Sequence, residues 1–242
     1  MRTAIVSGSA KGLGKSIALA LAKEGYVLAI HYRDSADAAR KTFQEVKKIS
    51  QGSILLQADM TREDEVLKMA DETLAKLGRV DLLVNNVGNF IYKDFGKTSN
   101  SEFRDLIESN LYSTLFASRA VLPCMRKQKS GHIVNIGAVG AERLQILEKS
   151  TPYFLAKTGV YILTKIMAHE EAKNGIHINM ISPGSLATDI FKAKEFPMGR
   201  AASYHDVTRA LLFLISGDAY YINGANIEVS GGYVPGFKAT ND

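Results

Sequence analysis

Residues 2–14 read RTAIVSGSAKGLG, in which a short β-branched, apolar run from Thr3 to Ser7 leads straight into three glycines. Gly8, Gly12 and Gly14 fall in the spacing G-x-x-x-G-x-G, and apolar periodicity resumes from Ile17 to Leu21. A strand that breaks into a glycine turn and restarts as a helix constrains the fold strongly. The turn lets the backbone approach an anion, and the unpaired N–H groups at the helix start face it. The order strand, glycine turn, helix therefore predicts a phosphate-binding turn at the head of an α/β unit.

The rest of the chain continues that alternation. Strands are expected at Val27–Tyr32, Ser53–Gln57, Val80–Val84, His132–Ile136, Ile176–Ile181 and Asn226–Val229. Helical periodicity covers Leu13–Lys23, Asp37–Ile49, Glu63–Leu77, Ser101–Met125 (as two helices), Pro152–Lys173 and Ala201–Ile215. Such alternation calls for an α/β fold of three layers, a doubly wound parallel sheet with helices on both faces. Ligands then bind at the carboxyl ends of the strands. The length suits one domain over residues 1–242. Gly184–Ser203 has weak periodicity beyond a strand end and reads as a substrate loop near 184–203. The tail from Pro235 to Asp242 has no core pattern.

Composition narrows the functional classes. The chain is 46% hydrophobic and 23% charged, which argues against disorder. Its one cysteine, Cys124, forms no internal disulfide, and no C-x-x-C or His/Cys cluster suggests a metal. No apolar run reaches the roughly 18–20 residues of a membrane span. The first strand starts near residue 3, so no signal peptide is expected and a cytoplasmic protein is. The net charge of +5 has its densest cluster at Arg126, Lys127 and Lys129, where cations complement a helix C-terminus. A nucleic-acid binder would carry a broader basic face.

Tyr153 and Lys157 lie four residues apart near a helix start, on one face. An ammonium beside a phenol favours phenolate and is expected to lower the tyrosine pKa from about 10. Such a phenol exchanges a proton near neutral pH, which carbonyl reduction requires.

These motifs stand in an order that resembles the short-chain dehydrogenase/reductase family from residue 2 to about residue 234. SGSAKGLG, Ser7 to Gly14, resembles the cofactor loop. NNVG, Asn85 to Gly88, resembles the Asn-Asn-Ala-Gly segment after the fourth strand. Asn110 matches the helix asparagine of the catalytic set, and YFLAK the Tyr-x-x-x-Lys motif. Pro183-Gly184 with Thr188 resembles the segment that closes over the nicotinamide, and Val229-Ser230-Gly231-Gly232 a Val-Asp-Gly-Gly ending.

The resemblance implies a Rossmann-fold oxidoreductase that transfers hydride between a nicotinamide dinucleotide and a ketone or aldehyde. Tyr153 would donate the proton, Lys157 would lower its pKa and hold the nicotinamide ribose, and Asn110 would hold a water in a relay to Lys157. The cofactor set would be Gly8, Ser9, Lys11, Gly12, Leu13, Gly14, Tyr32, Arg33, Asp59, Met60, Asn86, Val87, Gly88, Tyr153, Lys157, Pro183, Gly184 and Thr188. Self-association as a homotetramer or dimer, through the helices containing Asn110 and Tyr153, is also implied.

One departure stands out. The family serine after the fifth strand is here Ala138, preceded by Gly137. Glu142 or Ser150 could reach in from the loop; the plainer readings are a solvated acid and part of a helix cap. A lost oxyanion donor typically costs about 100- to 1,000-fold. The alternative to a working enzyme is therefore a degenerate nucleotide-binding or sensing protein. At the end of the second strand Tyr32 stands where an acid would select NAD(H). Arg33 and Lys11 suit a 2′-phosphate, so the charges favour NADP(H), with NAD(H) the alternative and Asp34 a partial offset. HYRDSADA resembles part of the pteridine reductases; FPMGR and SYHDV resemble bacterial 3-oxoacyl-carrier-protein reductases. These resemblances imply a small or carrier-bound carbonyl compound as substrate.

Overall fold

Four consecutive residues of the first strand, Thr3 to Val6, are buried, as expected of a strand covered on both faces. The computed structural model describes residues 1–145, 147–186 and 196–235. Strands β1 (Arg2–Val6), β2 (Tyr26–Tyr32), β3 (Ile54–Gln57), β4 (Leu82–Asn85), β5 (Gly131–Ile136), β6 (Ile176–Pro183) and β7 (Asn226–Val229) form one sheet. Its order is β3-β2-β1-β4-β5-β6-β7, and every pairing is parallel. Helices α1 (Gly12–Lys23), α2 (Ala36–Lys47), α3 (Glu63–Leu77), α4 (Asn100–Ile107), α5 (Ser113–Gln128), α6 (Thr151–Glu171) and α7 (Tyr204–Leu214) complete it. The expected three-layer, doubly wound Rossmann architecture is present.

Strand alternation builds the two cores. Ala4 and Val6 pack with Ile17 and Leu21 of α1 and Leu211 of α7. Ile5, between them, faces Val66 of α3 and Val121 and Met125 of α5. Truncating a fully buried residue such as Ile5 to alanine costs about 2–5 kcal/mol. The strand order reverses between β1 and β4, so their carboxyl ends part and leave a crevice.

Local chemistry sets the element ends. The helical stretch after residue 100 is indeed two helices, α4 and α5, joined by a wide π turn over Glu108–Tyr112. Carbonyls in that turn are taken up by side chains: Ser113 Oγ donates to Ser109 O and Thr114 Oγ1 to Asn110 O, at 2.5 and 2.9 Å. Helix α7 starts at Tyr204 rather than at the expected Ala201. Ser203 and Asp206 form a reciprocal capping box that fixes that start.

A buried polar seam holds the strand ends that carry the site. Asn85 Nδ2 donates to Asn135 Oδ1 at 2.9 Å and to Ser118 Oγ at 3.1 Å. Asn135 Nδ2 donates to Thr164 Oγ1 at 2.8 Å, which ties β4 and β5 to α5 and α6. No described helix is long and apolar enough to cross a membrane.

Candidate active site

The glycine turn is held from three sides. Ser7 Oγ accepts from the backbone N–H groups of Asn86 and Val87 at 2.9 and 3.1 Å. Asn86 Nδ2 donates to Ser7 O at 3.0 Å and Gly8 O at 3.3 Å. Gly8 N donates to His31 Nδ1 at 2.8 Å. A Cβ on Gly14 would overlap the Gly8 carbonyl, so only glycine allows α1 to start this close to the turn. Gly8, Ser9, Lys11, Gly12, Leu13 and Gly14 thus form one cradle at the α1 N-terminus, bordered by Asn86 and Val87, with Gly88 lying against Asn110. Its shape fits a pyrophosphate. Sequence reasoning passed over Ser7 and His31 as anchors of this cradle.

Beside it, a cleft of about 1020 Å³ is lined by Tyr32, Arg33, Asp34, Asp59, Glu65 and Lys68, among others. Asp59 Oδ1 accepts from Thr61 N and Oγ1 at 2.9 and 2.8 Å. Burial alone would raise the Asp59 pKa, but the Thr61 hydrogen bonds and the Arg33 and Arg62 cations hold it below the usual range. Met60 next to it is buried. Arg33 pairs with Asp34 at 2.6 Å, and its other arm lies 3.9 Å from Asp59. Asp34 therefore does offset Arg33, though both side chains are exposed and such pairs are weak. Tyr32 ends β2 where an acid would have been needed for a ribose 2′-hydroxyl.

Asn110 comes from the π turn, and Tyr153 and Lys157 from the first turns of α6, which packs against that turn. Asn110 is fully buried; its Nδ2 donates to Asn89 O and Leu106 O, both at 2.9 Å. Its Oδ1 is buried without a hydrogen-bond partner among the described residues. A Cβ on Gly88 would overlap that same oxygen, so only glycine at 88 lets the Asn110 amide sit there. Lys157 Nζ donates to Ile136 O at 2.7 Å and sits 5.7 Å from the Tyr153 ring centroid.

The expected acidified phenol is not what the structure holds. Burial pushes Tyr153 up to about 12 and Lys157 down to about 8. The ammonium spends its short contact on the Ile136 carbonyl, so desolvation outweighs its field at the phenol. The Tyr153 ring is instead steadied by aromatic edges. Phe90 lies 4.9 Å away at 87°, and Phe154 5.7 Å away at 86°.

Tyr153 opens into a cleft of about 280 Å³, walled by Phe90, Ala138, Leu147, Leu186 and Tyr233, among others. Pro183 and Gly184 line it too, with Gly184 N donating to Val229 O at 3.0 Å. Neither candidate substitute for the family serine reaches it. Ser150 stands at the N-cap of α6, its carbonyl accepting from Phe154 N at 3.1 Å, while its Oγ donates to Leu147 O at 2.5 Å and so holds its own loop. Glu142 accepts from Asn226 Nδ2 at 3.1 Å. Thr188 lies outside the described residues, as do Ile146 and the rest of 187–195 in the expected substrate loop. No group of three metal-ligating side chains occurs among the described residues.

The comparisons with known proteins agree with this geometry. A family model described as Enoyl-(Acyl carrier protein) reductase matches residues 8–234. The chain is 35% identical over 247 residues to the 3-oxoacyl-(acyl-carrier-protein) reductase FabG of Staphylococcus epidermidis, covering 96% of this chain and 98% of that one. The 3-oxoacyl-(acyl-carrier-protein) reductase of Synechocystis sp. is 33% identical over 243 residues, with 96% and 97% covered. The crystal structure of acetoin dehydrogenase YohF from Salmonella typhimurium matches with a TM-score of 0.89 at 27% identity, over 99% of both chains. The cradle, the Tyr153–Lys157 pair and near full-length similarity lead to one family: this chain is a short-chain dehydrogenase/reductase, an NAD(P)-dependent oxidoreductase acting on carbonyl or alcohol groups.

Proposed function

We propose that the chain reduces a ketone or aldehyde with NADP(H), and that Tyr153 is the proton donor. The observation that carries this reading is the Tyr153 hydroxyl-bearing ring at a small apolar cleft, one helical turn from a buried ammonium. When bound, the nicotinamide supplies the hydride that reaches the carbonyl carbon. Tyr153, whose pKa burial raises to about 12 and which is therefore protonated near neutral pH, gives its proton to the carbonyl oxygen as that oxygen gains charge. The phenolate left behind is stabilised by Lys157 and regains a proton from solvent. Asn110 Oδ1, buried and unpartnered, is suited to hold a water on that path.

Gly8, Ser9, Gly12, Leu13 and Gly14 would hold the pyrophosphate, and Asp59 with Met60 the adenine side. Asn86, Val87 and Gly88 would border the nicotinamide side, with Lys157 on its ribose and Pro183, Gly184 and Thr188 closing over it. Lys11 and Arg33 support a 2′-phosphate and so NADP(H) over NAD(H). The names of several relatives favour a 3-oxoacyl thioester on a carrier protein as substrate. Leu155, Ile162 and Ile166 leave an exposed apolar stripe on α6, which supports a homotetramer or dimer. The single cysteine fits a cytoplasmic location.

Ala138 favours one other reading, a nucleotide-binding protein without turnover. NADPH oxidation against small ketones, aldehydes and 3-oxoacyl thioesters decides between them. Turnover with any of these supports the reductase; tight NADPH binding with no turnover across the panel supports the sensor.

A further inference from the structure

His31 is 1% exposed and lies on β2 directly beneath the glycine turn. Its ring bridges two backbone groups of opposite kind. Gly8 N donates to Nδ1 at 2.8 Å, and Nε2 lies 2.9 Å from Ala58 O. An amide N–H only donates and a carbonyl only accepts, so this pairing admits one state: a neutral ring, bare at Nδ1 and protonated at Nε2. Burial favours the same neutral ring and lowers the His31 pKa, against smaller opposing effects of the Ala58 carbonyl and the Asp59 charge. The main chain adds two more ties. His31 N donates to Ser9 Oγ at 2.9 Å, and Ser9 N donates to His31 O at 3.0 Å.

One residue thus joins the glycine turn at Gly8 and Ser9 to Ala58, the neighbour of Asp59. These are the two segments read above as the pyrophosphate and adenine sides of the dinucleotide site. Gly8 has φ +65°, and its N–H is aimed inward at the imidazole. Without an acceptor there, that partly buried donor would lose its partner and the turn its fixed shape. The far side of the turn has its own support, since Thr42 Oγ1 donates to Ala10 O at 2.8 Å.

We propose that His31 is a positioning residue for dinucleotide binding, a tautomer-locked strut whose bare Nδ1 sets the Gly8 end of the cradle and whose Nε2–H sets the Ala58 end. The proposal rests on the reading of this cleft as a nicotinamide-dinucleotide site. Three variants separate its parts. Asparagine places an acceptor near Nδ1 but does not reach Ala58; glutamine places a donor near Nε2 but leaves Gly8 unpaired; leucine supplies neither.

The test is NADPH binding by fluorescence titration of the full chain, with thermal melts to confirm folding. His31→Leu is expected to raise Kd at least tenfold, His31→Asn less than threefold, and His31→Gln to fall between. Leucine binding like wild type, or asparagine as weak as leucine, overturns the proposal. Wild type failing to bind either NADPH or NADH would instead overturn the dinucleotide reading beneath it. Should the leucine variant not fold, ¹⁵N NMR of the wild-type imidazole decides, with the asparagine spectrum giving the assignment. A proton on Nε2 supports the strut, and a proton on Nδ1 overturns it.

Discussion

Lys157 Nζ donates to the carbonyl of Ile136 at 2.7 Å, two residues before Ala138. That bond anchors α6 to the end of β5 and holds the ammonium inside the protein, 5.7 Å from the Tyr153 ring centroid. Its consequence is a lysine whose pKa burial has brought down to about 8. A cation that helps Tyr153 give up its proton is then lost as pH rises through about 8. The rate of carbonyl reduction, as kcat/KM, should be level below that pH and fall above it. Lys157→Met should lose about 100-fold or more in kcat and show no such alkaline limb; pH-rate profiles of both proteins check this.

Ala138 leaves the cleft wall near Tyr153 without a hydroxyl, and no described side chain from the 140–150 loop replaces it. The Phe90 ring, perpendicular to the phenol with centroids 4.9 Å apart, orients Tyr153 but donates nothing to a substrate oxygen. Ala138→Ser should therefore raise kcat about tenfold or more with a small ketone, toward the value of one oxyanion donor. A fall in kcat would mean that the substrate itself makes the missing contact.

Arg33 is held by Asp34 and reaches toward Asp59, yet it remains about half exposed in the cleft beside the glycine turn, where the proposal puts the cofactor ribose. Arg33→Ala should raise KM for NADPH about tenfold and change KM for NADH less than threefold, since an exposed guanidinium on a phosphate contributes about 1.5–3 kcal/mol at most. Equal effects on the two cofactors would argue against a 2′-phosphate site.

His132 stacks on His177 with ring centroids 5.0 Å apart, at the opposite end of the sheet from the cleft. Burial, then the neighbouring His177 and Arg2, bring its pKa from 6.5 down to about 4, against the pull of Asp81. The unfolded chain takes up this proton first, so stability falls as pH drops from about 6.5 to about 4. The loss is at most about 3 kcal/mol for this group. Urea unfolding at pH 7 and pH 4.5 should show a smaller loss for His132→Gln than for wild type.

What was legible in the sequence was what depends on local spacing. The glycine turn, the Tyr153–Lys157 spacing and the alternation of elements are all short-range patterns, whereas Asn110 is singled out by resemblance alone, as a helix residue, and lies in the π turn between two helices. What was hidden depends on partners far along the chain. His31 sits in the apolar run of β2 and gains its meaning from Gly8 and Ala58, 23 and 27 residues away. Phe90 lies in a loop without periodicity, and only folding brings it against Tyr153. The direction of the Tyr153 shift followed from depth of burial, which four-residue spacing does not encode. Ser203 set the start of α7 through a cap whose signature, Ser203 and Asp206, was present but unused.

The most direct test is steady-state NADPH oxidation with a saturating carbonyl substrate, wild type against Tyr153→Phe. Removing only the phenolic O–H should lower kcat by about 100- to 10,000-fold. Turnover in Tyr153→Phe equal to wild type would contradict proton donation by Tyr153.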